Sequence, residues 1–81
     1  MELKDTIEMM NSSQYVDRFK AEYYQLKIRR DKLKDMLVRY KNDELNFTPK
    51  CSYDLLHFQL VCMNEYMNVL EERAKIENII L

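Results

Sequence analysis

Residues 14–41 read QYVDRFKAEYYQLKIRRDKLKDMLVRYK, and the spacing of apolar positions in this stretch decides the fold. Val16, Phe19, Tyr23, Leu26, Arg30, Leu33, Leu37 and Tyr40 follow one another at alternating steps of three and four. Such an unbroken heptad seam predicts a long helix that lays one narrow apolar face against another helix. Arg30 is its one polar intruder. A second seam, Leu56, Leu60, Met63, Met67, Leu70, Ala74, Glu77 and Leu81, alternates four and three. Between the two, residues 42–51 form a connector in which Thr48-Pro49 turns the chain away from helix. Two matched seams and a short connector predict an all-α fold built on an antiparallel two-helix hairpin of coiled-coil type. Each arm should span about 40 Å at the rise of an α-helix.

Working outward, residues 2–10 carry Leu3, Ile7 and Met10 at i, i+4 and i+7, which predicts a short helix. It is too short to stand alone and must dock. Ser12 or Ser13 is expected to cap the long helix of residues 14–41, with Asp17 near its positive dipole end. Ser52 is expected to cap a last helix over residues 52–80. The 81 residues form a single domain on this reading.

Composition narrows the functions. There is no Gly and one Pro. Loops that cradle phosphates depend on Gly, so nucleotide-binding loops of that type are excluded, and sheet-rich folds are disfavoured because their tight hairpins favour Gly. Lys and Arg number 13 against 14 Asp and Glu, a balance that argues against general binding of duplex DNA. No apolar run approaches the length of a membrane span. The opening MELKDTIEMM lacks the apolar core of a signal peptide, so a cytoplasmic protein with reduced thiols is expected.

The last helix has more apolar surface than a hairpin needs. Leu55, Phe58, Cys62, Tyr66, Val69, Ile76 and Ile80 form a second stripe, roughly 120° around the helix from the seam. One facing helix buries one seam, so this stripe predicts a homo-oligomer, with the short first helix covering part of it. Any binding site is then expected between chains.

Arg30 is the most informative single residue. A guanidinium in a seam is costly unless paired. It reads either as an anion-recognition group or as a polar residue that fixes the register opposite Met63–Met67. Lys20, Lys27, Lys34 and Lys41 recur every seven residues beside it, either as a cradle for an anionic ligand with Tyr23 or as a solvated flank paired with glutamates. Arg30, Lys27, Lys34 and Tyr23 are thus the candidate ligand contacts. Cys51, His57 and Cys62 lack the spacing of a zinc site, and a continuous helix offers no oxyanion hole. No catalytic residue, metal or cofactor is implied, and the chain is not expected to be an enzyme.

The stretches YVDRFKAEYYQLKIR, LNFTPKCSYDLL and LEERAKIE resemble a family of small proteins from phages and prophages of gut Firmicutes, described only as related to a crAss-like phage gene product. The resemblance runs over nearly the whole chain and implies a viral origin. The architecture is also similar to helical-hairpin phage proteins that sequester nucleotide immune signals, the anti-CBASS and anti-Thoeris sponges. That likeness is one of shape and origin. It implies a phage anti-defence protein, acting in the bacterial host cytoplasm, that oligomerises and sequesters a small cyclic nucleotide. The alternatives are a protein–protein inhibitor of a host defence effector, such as an anti-CRISPR, and a structural or regulatory dimer.

Overall fold

The computed structural model describes residues 1–81 and is all-helical. A 3-10 turn, Leu3–Thr6, runs into α1, Ile7–Met10; two long helices follow, α2 over Tyr15–Lys41 and α3 over Tyr53–Ile76. The long helices pack as an antiparallel hairpin, within overall dimensions of 43 × 24 × 17 Å. No helix is long and apolar enough to cross a membrane.

The two seams meet. Phe19, Tyr23, Met67, Leu70, Ala74 and Ile79 form the buried cluster, with Tyr24, Leu26 and Leu81 packed against it. Leu37 is the buried seam residue nearer the connector, whereas Leu33, Tyr40, Leu56, Leu60 and Met63 are only partly covered. Val16, expected in the seam, is 43% exposed. It sits in the first turn of α2, at the open end of the seam.

One register holds along the pair. Tyr15 donates to Glu77 Oε1 at 2.6 Å, Tyr23 to Glu71 Oε2 at 2.7 Å, and Arg30 Nη1 to Asn64 Oδ1 at 3.0 Å. At the connector the rings of Tyr40 and Tyr53 meet edge to face, 5.4 Å apart. The heptad expectation of Lys–Glu pairs across the seam is replaced by hydroxyl-to-carboxylate bonds. Every ion pair in the protein joins residues no more than four apart in sequence.

The helix ends show how a chain without Gly stops a helix. Asp43 and Asn78 adopt φ of 57° and 58°, the left-handed region that Asp and Asn tolerate best after Gly. Glu44 N–H reaches Arg39 C=O at 2.9 Å, and Ile79 N–H reaches Ala74 C=O at 2.8 Å. Both ends are Schellman motifs. α3 therefore stops at Ile76 rather than near residue 80, and Ile79 folds back into the core.

Two further boundaries differ from expectation. Neither serine caps α2; the N-cap is Gln14, without a side-chain bond. Ser12 lies farther out, accepts the Gln14 N–H at 3.0 Å and donates to Asp17 Oδ2 at 2.7 Å. Ser52 does cap α3, accepting the Leu55 N–H at 3.2 Å. In the first segment the 3-10 winding shifts the phase of the helix face. Thr6 is fully buried, while Ile7 and Met10 stay exposed. Gln25 Nε2 on α2 donates to Thr6 Oγ1 at 3.1 Å and also contacts Met10 Sδ.

α1 docks on α2 and makes no packing contact with α3. The expectation that it covers part of the second stripe is corrected. Thr6 and Gln25 fix it to the back of α2, on the side away from the hairpin partner.

Candidate functional site: a basic flank and an uncovered apolar face

Helical periodicity gives the hairpin two unlike flanks. One carries the Tyr23–Glu71 and Arg30–Asn64 pairs, with Lys20, Lys27 and Lys34 beside them on α2. The other carries Tyr66, which donates to Glu22, and the Tyr15–Glu77 pair, joined by Arg73 Nη2 donating to Tyr15 Oη at 3.0 Å.

On the basic flank Lys27 and Lys34 are exposed. Lys27 Nζ lies 3.9 Å from Asp31 Oδ2, and Lys34 has no acidic partner within ion-pair distance. The four lysines do not form a straight row. A seven-residue spacing drifts by about 20° per repeat on a straight helix. By Lys41 the ammonium has moved round to lie over the Tyr53 ring of α3, 5.4 Å from its centroid.

Arg30 is paired rather than bare. Its Nη1 holds Asn64 and its Nε holds Asp31 Oδ1 at 2.8 Å, with 24% of the side chain exposed. It sits opposite the Met63–Met67 segment, as the register argument expects, but its partners are Asn64 and Asp31 rather than a glutamate. These contacts use two of the guanidinium's five donors.

Tyr23, the aromatic residue among the candidate contacts, lies in the seam. It is 7% exposed, its ring packed in the core and against the edge of Tyr24, its hydroxyl on Glu71. Burial, then the bond to Glu71, pushes its pKa up to about 12. Its hydroxyl and Glu71 border an open groove of about 360 Å³, completed by Ala74, Lys75, Ile79 and Leu81. The half-buried Tyr24 is the aromatic residue left at the edge of the basic flank.

The other tyrosines are also engaged. Glu77 and burial raise the pKa of Tyr15, against the opposing pull of Arg73. The bond to Tyr15 in turn raises that of Arg73. Tyr53 stacks on His57 at 5.8 Å. Cys51 and Cys62 are free and exposed, and no cluster of His, Cys, Asp and Glu has metal-holding geometry.

The second stripe of α3 is open along its length. Leu55, Phe58, Cys62, Tyr66, Val69 and Ile76 are all exposed, Ile76 to 78%. Ile80 is exposed too, but lies past the end of α3 and does not continue the helical stripe. The stripe borders the Tyr66–Glu22 flank, so it and the basic flank lie on opposite sides of the hairpin.

One concavity escaped the sequence reading. Tyr40, Asp43, Leu45, Asn46, Phe47, Thr48 and Pro49 line an open cavity of about 440 Å³ at the connector. Its signal was Leu45 and Phe47, the two large apolar residues of a mostly polar connector.

No curated protein and no solved structure matches this chain. A sequence-family model does, and its match takes in residues 13–76, from the entry into α2 to the last residue of α3. With both arms of the hairpin inside that match, the chain belongs to the Sequestin family.

Proposed function

We propose that this protein is a phage- or prophage-encoded anti-defence factor that sequesters a small cyclic nucleotide immune signal in the host cytoplasm. The observation that carries this reading is membership of a family named for sequestration, over a match that spans the whole hairpin. A sequestering role asks for affinity without turnover, so it needs no nucleophile, general base or metal. A polyanionic ligand of this size asks for convergent cations, and Arg30, Lys27 and Lys34 line one flank with uncommitted donors. Balanced net charge suits a small ligand better than a duplex, whose affinity scales with the number of phosphates neutralised.

Isothermal titration of the full chain against cyclic dinucleotides, cyclic trinucleotides and cyclic ADP-ribose isomers tests the proposal. One ligand class is expected to bind near stoichiometrically and to be recovered unchanged. A Lys27→Glu/Lys34→Glu variant should weaken that binding at least tenfold. Flat thermograms across the panel overturn the reading. Co-purification with a host effector in their place would favour inhibition by protein–protein contact.

A further inference from the structure

We infer that the exposed face of α3 is a two-fold interface with a second copy of this chain, the two α3 helices running antiparallel. In this pairing Leu55 lies opposite the partner's Ile76 and Cys62 opposite the partner's Val69. The inference goes beyond the ligand assignment and does not depend on it.

Area is the first argument. The chain exposes 6119 Å² at a mass of 10.0 kDa. A monomer of that mass typically exposes about 5200 Å², so the excess is roughly 900 Å². A stable interface takes about 800 Å² from each partner. The surplus surface is thus about the size of one side of such an interface. Its apolar part has a location, because α1 leaves α3 uncovered.

Symmetry of the stripe is the second argument. Read from either end of α3, a large aliphatic residue comes first, at Leu55 or Ile76, and a small one two turns further in, at Cys62 or Val69. A two-fold contact requires a surface complementary to itself, and this order supplies it. The register overlaps nearly the full 24 residues of α3. Sliding it by one heptad to set Cys62 against its own copy carries Ile76 past the start of the partner helix.

A cation–aromatic match is the third. Arg73 projects beside the stripe with its guanidinium over the Phe19 ring, 5.0 Å from the centroid. A planar guanidinium has two faces for aromatic contact. Phe58, exposed on the stripe, meets the second face of the partner's Arg73 in the inferred register. The stripe lies roughly 120° from the seam, so a second copy seats on α3 without displacing α2. The basic flank, on the far side of the hairpin, stays open to solvent.

Sedimentation equilibrium of the full chain across micromolar to millimolar concentration reads the assembly. Twice the chain mass is expected, reverting to the chain mass in Val69→Glu and, independently, in Leu55→Lys, both at exposed positions where helicity should persist. Register is read by oxidation with copper–phenanthroline. Cys51→Ser/Val69→Cys is expected to give cross-linked dimers, while Cys51→Ser alone stays uncross-linked. In the inferred register the two Cys62 residues lie about 10 Å apart along the helix axis, beyond the Cα separation of about 7 Å that a disulfide spans. A chain of single mass at every concentration overturns the inference, as does a dimer unaffected by both stripe variants. Efficient cross-linking of Cys51→Ser overturns the register.

Discussion

The two ends of the hairpin share one heptad pattern and differ in how well they are packed. At the end holding the chain termini, Phe19, Tyr23, Met67, Leu70 and Ala74 are sealed by Ile79 folding back from α3. α1 braces the back of α2 there, and Tyr15, Arg73 and Glu77 tie the helix tips together. At the connector end, Leu33, Leu56 and Leu60 face each other half-covered, and an edge-on Tyr40–Tyr53 contact takes the place of a core. Periodicity therefore decides which face turns inward. How deeply that face is buried depends on what closes over its edge, and at the termini end Ile79 and Leu81 do so.

The largest expected effect tests that contrast directly. Leu70 is fully buried, and Leu70→Ala should cost about 2–5 kcal/mol. In a chain this small that is enough to unfold much of the population at room temperature. Leu60→Ala, at a half-covered position of the same seam, should cost about 1–2 kcal/mol. Urea titrations followed by circular dichroism compare them, and equal losses would erase the difference between the ends.

Next comes a pH effect confined to the termini end. The folded pKa of Tyr23, about 12, lies above the ordinary tyrosine value of 10. The folded state holds that proton more tightly than the unfolded chain. The stabilisation is therefore fully present below pH 10 and is lost as pH rises toward 12. Relative to Tyr23→Phe, the wild-type chain should lose about 2 kcal/mol across that window. Absorbance at 295 nm should show its last tyrosine to ionise missing from the variant.

Two smaller effects probe the connector end. Ser52→Ala removes the acceptor for the Leu55 N–H and should cost about 1 kcal/mol, read as a lower thermal midpoint. Asp43→Gly relieves a left-handed residue at the end of α2 and should stabilise by about 0.5 kcal/mol. If Asp43→Gly destabilises instead, the Asp43 side chain contributes something that the backbone geometry does not reveal.

The seams were legible because burial of a long helix imposes a period, and Phe19, Leu37, Met67, Leu70 and Ala74 obey it. The stop at Ile76 was not, since the seam spacing runs on through Glu77 to Leu81 and outweighed the weaker stop signal of Asn78, a residue that fits a helix as well as the left-handed region. Thr6 was missed because its burial follows from 3-10 winding, which spacing cannot distinguish from α. For the candidate site, the register of Arg30 could be read ahead, but its pairing with Asn64 could not, because both residue types have many possible partners. Tyr23 illustrates the limit most clearly. A seam position and a recognition residue look alike in sequence, and the bond from Tyr23 to Glu71 becomes visible only once the two helices are set side by side.

The placement of the tight core at the termini also has a kinetic side. The bonds that secure it, Tyr15–Glu77 and Tyr23–Glu71, join residues 62 and 48 apart in the chain. Tyr40 and Tyr53, by contrast, lie close on either side of the connector and can meet after little loss of chain entropy. Closing the hairpin from its connector is thus quick to begin and poorly rewarded until the last turns dock. Such an ordering leaves little to hold a half-zipped chain, and favours folding in one concerted step with a late barrier.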